Sequence, residues 1–190
     1  MRKIFAFIMI SLDGYHEGPA DELDWHNVDA EFNDFAVEQL DEADTLLFGR
    51  KTYQMMASYW RTDAAVQDDP EVAGRMNRMK KIVCSRALTT PDWGPVTVLS
   101  QDVESHLAEL KEQPGKDIAL LGSSMLTANL LPSGVIDELR LMMSPVALGT
   151  GHPVVAGASR TQLELLRIRQ FKSGNVLLTY QPRQFEGRIV

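Results

Sequence analysis

Runs of apolar residues alternate with polar turns along this chain, and their spacing predicts a succession of strands and helices. Residues 4–12 are almost continuously apolar, which is typical of a strand that is covered on both faces. Asp13 and Gly14 end that run, and apolar residues then recur at helical spacing from Phe32 to Leu40. Asp29 precedes this stretch and is expected to cap the helix.

The same alternation continues to residue 131. Asp69, Pro70 and Glu71 predict a helix start, because a cap, a proline in the first turn and an acid near the positive helix end occur together. Further strands are predicted at residues 45–48, 81–84, 96–99 and 118–121. Further helices are predicted at residues 52–59, 70–79, 103–110 and 124–131.

The pattern changes in the last third of the chain, where three strand-like runs follow one another without a helix. They cover residues 139–146, 163–171 and 176–180, and Lys172-Ser173-Gly174-Asn175 is a hairpin turn between the last two. This order predicts one α/β domain over residues 1–190. Its central sheet is expected to be twisted and mostly parallel, with helices on both faces and an antiparallel C-terminal edge.

The charge and the cysteine content narrow the classes of partner and location. The formal net charge of −7 disfavours non-specific binding to nucleic acid or to an anionic membrane, so we expect neither as a partner. Cys84 is the single cysteine, so no intrachain disulfide forms and a cytoplasmic location is expected. The first apolar run is too short to span a membrane, and Asp13-Gly14 follows it instead of a signal-peptide cleavage site.

Common catalytic and cofactor motifs do not occur in the sequence. No G-x-G-x-x-G follows the first strand, and there is no Walker A motif, no H-E-x-x-H and no G-x-S-x-G. The four histidines are scattered without metal-ligand spacing, so we predict no metal site. Cys84 lies within an apolar strand and is interpreted as an inert core thiol.

Three strand-to-helix turns are the main candidates for ligand binding. Gly49-Arg50-Lys51-Thr52 could bind a phosphate through a helix N-terminus, two cations and a hydroxyl. The same four residues are also explained as a glycine turn with two solvated cations and a capping threonine. Ser85-Arg86 follows the next strand, where such a pair is also common on any surface. Gly122-Ser123-Ser124-Met125 either lets a ligand approach the backbone or is simply a tight junction. Ligands of open α/β sheets bind beyond the carboxyl ends of the strands, so the three turns support one another.

Four residues near the start of the chain have both a functional and a structural interpretation. Asp13 ends the first strand at the same edge and is either a turn former or the catalytic residue. Trp25 either covers a ligand ring or anchors its loop. Asp29 and Glu31 either supply a carboxylate to a substrate or act as a helix cap and a solvated charge. Asp13 is taken forward as the catalytic candidate, and the other three as substrate-binding candidates.

In this order and spacing, the segments resemble the dihydrofolate-reductase-like superfamily over nearly the whole chain. The resemblance is closest to stand-alone members of the riboflavin-biosynthesis reductase branch, the C-terminal domain of the bifunctional deaminase-reductase. The segments that carry it are residues 11–14, 47–53, 81–86, 121–124, 131–141 and 144–151. The zinc-dependent deaminase motif of the bifunctional enzyme is absent from the sequence.

The resemblance implies NADPH as the cofactor, lying across the strand ends. The residues that would hold its adenosine 2′-phosphate and pyrophosphate are Gly49, Arg50, Lys51 and Thr52. Those that would flank its adenosine are Ser85 and Arg86. Those that would wrap the pyrophosphate and the nicotinamide are Gly122, Ser123, Ser124, Met125 and Leu126. The resemblance also implies a cis peptide between Gly122 and Ser123, and a substrate carboxylate at Asp29 or Glu31.

The expected function is NADPH-dependent reduction of a small heterocyclic substrate, resembling 5-amino-6-(5-phosphoribosylamino)uracil reductase of riboflavin biosynthesis. Two alternatives stay open: a true dihydrofolate reductase, and a non-catalytic nucleotide-binding protein of the same fold. A homodimer is expected, because the C-terminal strands leave a sheet edge that proteins normally cover and reductase-branch relatives are typically dimeric. The apolar residues 139–143 are a candidate contact.

Overall fold

The apolar run at the start of the chain forms strand β1 (Ile4–Ile10), and all seven of its residues are buried. Both of its neighbours in the sheet run parallel to it. A strand in this position is covered above and below by helices, which explains why its sequence does not alternate between apolar and polar residues. The computed structural model describes residues 1–183, and residues 184–190 of the predicted domain lie outside the described part.

The remaining elements follow the predicted alternation. The strands are β2 (Tyr15–Glu17), β3 (Ala43–Gly49), β4 (Lys80–Cys84), β5 (Val96–Leu99), β6 (Asp117–Leu121), β7 (Glu138–Met143), β8 (His152–Pro153), β9 (Gln162–Gln170) and β10 (Val176–Arg183). The helices are α1 (Ala30–Glu42), α2 (Arg50–Trp60), α3 (Asp63–Asp68), α4 (Pro70–Arg78), α5 (Val103–Lys111) and α6 (Ser124–Leu130). The two predicted caps are confirmed: Asp29 accepts the Phe32 N–H at 2.8 Å, and Asp69 accepts the Val72 N–H at 3.0 Å.

Eight strands form the main sheet in the order β5-β4-β3-β6-β1-β7-β10-β9. The first six of these are mutually parallel, and β10 runs antiparallel to both of its neighbours. Strand β6 therefore lies between β3 and β1. The chain order of the strands changes direction at this point of the sheet. The predicted fold class, a mostly parallel sheet with an antiparallel C-terminal edge, is confirmed. A crevice is expected at the carboxyl ends of the strands where the order reverses.

Alternate residues of the central strands face two separate cores. In β1, Phe5 and Phe7 pack into a cluster that includes residues of α1, α2 and α4. Ile4 and Ala6 pack into a second cluster that includes Leu107 of α5 and residues of α6. This period of two is the geometry of a pleated strand, and it confirms helices on both faces of the sheet.

The structure places the predicted dimer contact, residues 139–143, inside the sheet. These residues form most of β7, which lies between β1 and β10, and Leu139 and Met142 are only 1% and 0% exposed. Strand pairing and core packing cover Leu139 and Met142, whereas Leu141 and Met143 stay partly exposed, so this stretch offers little apolar surface to a partner. The edge strand on this side is β9, where Leu165, Leu166 and Ile168 are exposed.

Two features of the fold were not predicted. Helix α3 follows α2 after a short turn, and Thr62 caps it by accepting the Ala65 N–H at 3.2 Å. Strands β2 and β8 pair with each other, with Glu17 opposite His152, although they are far apart in the sequence. Such short strands form only because tertiary contacts bring them together. Within residues 1–183, no helix is both long and apolar enough to cross a membrane.

Candidate active site

The parallel register brings the three candidate turns to one edge of the sheet. Gly49 at the end of β3 pairs with Cys84 at the end of β4, so the turns after these strands leave the sheet at the same level. Leu121 at the end of β6 pairs with Phe7 of β1, and the N–H of Gly122 donates to the Phe7 carbonyl at 2.8 Å. Residues predicted from separate segments therefore share one surface.

The turn after β6 is built from two consecutive left-handed residues. Gly122 has φ of 60° and Ser123 has φ of 53°. A Cβ atom at position 122 would lie 3.2 Å from Cγ2 of Thr52, so glycine lets the turn pack against α2. All peptide bonds of the described residues are trans, so the predicted cis peptide between Gly122 and Ser123 is wrong. The two left-handed residues, and not a cis peptide, form the turn between β6 and α6.

One cavity, of about 550 Å³, opens at the carboxyl ends of β4 and β5. Ser85 and Arg86, which were predicted to flank the adenosine of a cofactor, line it, and Leu126 contributes from α6. Asp102 and Glu104, at the start of α5, also line it. We call it the Arg86 cavity, and it combines one guanidinium with two carboxylates.

The single cysteine also lines the Arg86 cavity. Cys84 is partly buried, and burial raises the pKa of its thiol to about 11. At neutral pH this thiol is therefore protonated and weakly reactive, but it lies at a cavity and not in the core as the sequence predicted. Its position makes it a natural reporter of anything that binds in this cavity.

A second cavity, of about 260 Å³, lies between the sheet and helices α1, α2 and α4. Thr52, Gly122 and Ser123 line it, so the turn after β6 contributes to this cavity while helix α6, which follows the turn, contributes Leu126 to the Arg86 cavity. Most of the lining is apolar. We call it the Gln39 cavity, after a buried amide that lines it.

The polar groups of the Gln39 cavity are few, and the histidines among them are held neutral. Gln39 is 3% exposed, and its Oε1 has no hydrogen-bond partner among the described residues. Nε2 of His26 is also buried without a partner there, and burial lowers the pKa of this ring to about 4. Burial also lowers the pKa of His16, although the neighbouring Glu17 carboxylate opposes this shift. At neutral pH the net charge of this lining is therefore negative.

Asp13 lies at the predicted edge but holds a loop. Its carboxylate accepts hydrogen bonds from the Ser11 hydroxyl at 2.7 Å, the Gly149 N–H at 2.7 Å and the Leu148 N–H at 3.0 Å. These three donors lower its pKa to about 2. Asp13 lines neither cavity. An ionised carboxylate in this position fixes the loop after β7 against the end of β1.

The three substrate-binding candidates lie beside the Gln39 cavity without lining it. Trp25 donates through its indole N–H to the Glu22 carbonyl at 3.1 Å and contacts His26 edge to face. The Asp29 carboxylate caps α1, and the Glu31 carboxylate accepts the Lys172 N–H at 2.9 Å. Each carboxylate therefore accepts a backbone N–H, and neither lines the cavity.

The remaining cofactor candidates surround the two cavities. Arg50 and Lys51 are exposed at the start of α2 and line neither cavity, and Nη1 of Arg50 donates to Oε1 of Gln54 at 3.1 Å. Ser124 is buried, and its hydroxyl accepts the Val155 N–H at 3.0 Å. Met125 is 77% exposed. Six of the predicted cofactor residues therefore line the cavities, and the others lie around them: the six are Thr52, Ser85, Arg86, Gly122, Ser123 and Leu126.

One group of potential metal ligands occurs in the described part of the chain. Ligand atoms of Glu17, Asp21 and His152 lie within 4.8 Å of one another. The β2–β8 pairing creates this cluster, which sequence spacing could not reveal. Asp21 and His152 are exposed, and exposed carboxylates commonly approach a histidine without an ion, so the geometry alone does not define a metal site.

Gln39 is the residue that the sequence could have revealed. The apolar face of α1 recurs at Phe32, Phe35, Ala36 and Leu40, and position 39 falls on the same face. An amide at a core position is informative, because a buried polar group normally has a partner. No comparable sequence signal marks His26, which comes from a loop.

Comparisons with known proteins agree with this architecture. Residues 2–177 match the RibD C-terminal domain family. The uncharacterized protein YyaP of Bacillus subtilis (strain 168) is 32% identical over 182 residues, which are 94% of each chain. A protein from Shewanella sp. PV-4 that is assigned to riboflavin biosynthesis is 22% identical, with a TM-score of 0.69 over 96% of this chain and 99% of that one. Dihydrofolate reductase from Enterococcus faecalis, complexed with NADP(H), is 17% identical, with a TM-score of 0.62 over 96% and 97%. These structures confirm the dihydrofolate-reductase-like fold.

Proposed function

Because the chain belongs to the RibD C-terminal domain family, we propose that it is an NADPH-dependent reductase of a small substrate. The observation that carries the proposal is the position of residues 122–126 between two cavities. Gly122 and Ser123 line the Gln39 cavity, whereas Leu126 lines the Arg86 cavity. A dinucleotide that crosses this turn would place its adenosine in the Arg86 cavity and its nicotinamide beside the Gln39 cavity.

The residues present fit a dinucleotide. The Arg86 cavity, at about 550 Å³, lies within the usual range for small-molecule sites, about 300–1,000 Å³. Gly49 is the N-cap of α2 and has no side chain to occupy the first N–H groups of that helix, which leaves them for a phosphate. When bound, reduced nicotinamide supplies the hydride for a C=N or C=O bond, and the protein supplies position and electrostatics.

The chain's own residues account for the other needs of such a reaction. The apolar Gln39 cavity excludes bulk water from the carbon that accepts the hydride. Reduction also requires one proton, which goes to the nitrogen or oxygen of the same bond. His16 and Glu17 line this cavity and are partly exposed, so we assign them the path by which a solvent proton enters. Asp13 is assigned a positioning role, because its low pKa keeps it ionised at neutral pH.

The alternatives are less well supported by the site. A dihydrofolate reductase is expected to present a carboxylate to its substrate from the first helix, but Asp29 and Glu31 both bind backbone N–H groups. A non-catalytic nucleotide-binding protein would use the Arg86 cavity, but it would leave the adjoining apolar cavity without a purpose. The reductase proposal assigns a role to both cavities.

Alkylation of Cys84 tests the proposal and locates the nucleotide at once. Since the thiol pKa is about 11, only roughly 1 in 100 of these groups is ionised at about pH 9, and a slow, measurable reaction with a maleimide is expected there. Saturating NADPH should slow the reaction at least tenfold, whereas nicotinamide mononucleotide, which lacks the adenosine, should protect little. If NADPH binds without protecting Cys84, the placement is wrong. If calorimetry detects neither NADPH nor NADH binding, the proposed function is overturned.

A further inference from the structure

We propose that the Gln39 cavity selects an uncharged, unphosphorylated, planar lactam with apolar substituents, in place of the phosphoribosyl pyrimidine that the sequence resemblance implied. This inference rests on the proposed reductase function, because it names the substrate class of the same site. It is carried by a buried amide without a partner, by the apolar lining and by the sign of the charge in the cavity.

Gln39 provides the recognition group. Gln39 lines the cavity and is only 3% exposed. Among the described residues, no group donates a hydrogen bond to its Oε1. A buried amide oxygen is costly unless something completes its hydrogen bonding. A glutamine amide presents an acceptor beside a donor, which matches the adjacent N–H and C=O of a lactam edge. The N–H of such an edge would donate to Oε1 and complete its hydrogen bonding.

His26 adds a second, neutral polar group. Its Nε2 is buried without a partner among the described residues, and it lines the same cavity. Burial keeps the ring unprotonated above about pH 4, so it offers hydrogen bonding but no positive charge. Because most of the lining is apolar and these two buried groups are neutral, the cavity favours a ligand with few polar atoms.

The apolar part of the lining suits a flat ring with substituents. Phe7, Phe32 and Trp60 provide aromatic surfaces against which a planar ring can stack. Four of the chain's nine methionines also line the cavity: Met9, Met55, Met56 and Met76. Methionine side chains adapt to irregular shapes, so they would accommodate variable apolar groups on the ring.

Charge and size argue against a phosphate. Within residues 1–183, the lining contains no lysine or arginine, and the carboxylate of Glu17 contributes a negative charge. A phosphate monoester carries about 1.5–2 negative charges near neutral pH, so it would be both desolvated and repelled here. The volume, about 260 Å³, is also below the common range of about 300–1,000 Å³, which leaves little room for a ribosyl phosphate.

The test uses a matched pair of fluorescent probes, 6-hydroxymethyllumazine and its phosphate ester, which differ only in the phosphate. Each is titrated against the full chain, with and without saturating NADP⁺, which permits binding but no turnover. The unphosphorylated lumazine should bind at least tenfold more tightly than its ester. Glu17→Gln should narrow this difference by removing the repelling charge. Calorimetric binding of NADP⁺ alone is measured separately, so a failure of the proposed function is distinguished from a failure of this inference.

Substitution at the amide supplies the second arm. Gln39→Met keeps the length of the side chain and should weaken lumazine binding at least tenfold, with an unchanged or higher melting temperature. Gln67→Met, at an exposed position of α3, is the matched control and should change neither quantity. The inference is overturned if the phosphate ester binds as tightly as the unphosphorylated lumazine. It is equally overturned if the unphosphorylated lumazine does not bind, or if a folded Gln39→Met binds it as the natural chain does.

Discussion

The side chain of Ser123 is bound directly to the backbone of Gly49, 74 positions earlier in the chain: its Oγ accepts the Gly49 N–H at 2.8 Å. The same hydroxyl donates to Oγ1 of Thr52 at 2.9 Å. One serine therefore fixes the turn after β6 against the turn after β3. These are two of the three turns predicted to contact a cofactor, and their relative position decides the shape of the crevice between them.

Replacing Ser123 should loosen this connection. Ser123→Ala removes both hydrogen bonds and retains a non-glycine residue at φ of 53°, so a loss of about 1–2 kcal/mol is expected. That corresponds to a fall in melting temperature of about 2–8 °C for a chain of this size. Ser123→Gly should lose less, because glycine relieves the left-handed strain. Differential scanning calorimetry measures both.

Cofactor affinities show whether Ser123 positions the turn or contacts the cofactor directly. If Ser123 positions the turn, Ser123→Ala should weaken NADPH and NADH by a similar factor. Ser105→Ala, at an exposed position of α5, serves as the control and should leave stability and binding unchanged. A Ser123→Ala variant as stable as the natural chain would contradict the proposed connection.

The preference for NADPH over NADH should depend mainly on Arg86. The two cofactors differ by one 2′-phosphate, and Arg86 is the cationic side chain that lines the Arg86 cavity within the described residues. Its planar fork can hold phosphate oxygens with charge-assisted hydrogen bonds of about 1.5–3 kcal/mol, which correspond to roughly ten- to hundredfold in affinity. Arg86→Ala should therefore weaken NADPH by that factor and NADH much less. Arg50→Ala, at the exposed start of α2, should have a smaller effect in the same direction.

Two further variants make the cofactor prediction decisive. Asp102 and Glu104 line the same cavity and oppose a phosphate, so Asp102→Asn should strengthen NADPH binding while Arg86→Ala weakens it. Arg61→Ala is the control, because it removes an exposed arginine at the other end of α2, about 16 Å from Arg50 along the helix axis. Calorimetric titrations that show equal losses of NADPH and NADH in Arg86→Ala would refute the assignment.

The fold was largely predictable because local patterns and tertiary structure agree in its central elements. The unbroken apolar run of β1 is the sequence of a strand with two covered faces, and Asp29 and Asp69 cap the helices that they precede. The turns at Gly49, Ser85 and Gly122 could be placed at one edge, since parallel strands present their carboxyl ends together. Which strand neighbours which was not contained in these local signals.

Features that depend on distant pairing were missed. The β2–β8 pair joins Glu17 to His152, and the loop after β7 is held by Asp13, whose Asp-Gly sequence indicates only a turn. Asp29 illustrates the opposite case, because its cap was predicted correctly and that cap is what occupies the carboxylate. The Gln39 cavity could not be predicted, because its lining comes from three strands (β1, β2 and β6), three helices and the connections between them.

The loop that Asp13 holds should respond to acid. Its folded pKa, about 2, is lower than the ordinary value of 3.8, so the unfolded chain binds a proton more readily. The contribution of Asp13 to stability is therefore fully present above about pH 4 and is lost as the pH falls towards 2. Asp13→Asn should lower the urea midpoint of unfolding at pH 7, and the difference from the natural chain should shrink between pH 4 and pH 2.

The same variant distinguishes positioning from catalysis. If Asp13 only holds the loop, Asp13→Glu should retain part of the stability that Asp13→Asn loses. In both variants, the loss of turnover should then be proportional to the loss of stability. Unchanged stability in Asp13→Asn together with a large loss of turnover would instead show that Asp13 acts on the substrate. A stability difference that stays constant down to pH 2 would contradict the assigned pKa.

The edge strand β9 should form the contact of a homodimer, which remains a proposal. It is the last strand of the sheet in the described residues, so one row of its backbone N–H and C=O groups faces outward. Leu165, Leu166 and Ile168 on it are 47%, 43% and 61% exposed, which is unusual for large apolar residues grouped on one strand. A second copy of the chain would cover both the backbone edge and these side chains, as closed two-fold dimers do.

Charge introduced on this strand should therefore separate the subunits. Leu166→Lys combined with Ile168→Lys places four like charges in each dimer contact, which should raise the dissociation constant roughly a hundredfold or more. Val66→Lys is the matched control, because Val66 is 48% exposed but lies on α3. Light scattering at micromolar concentration should give the mass of a dimer for the natural chain and for the control, and the mass of a monomer for the double variant. Circular dichroism should show that all three proteins are folded. A natural chain that is monomeric, or a double variant that stays dimeric, would show that β9 is not the contact.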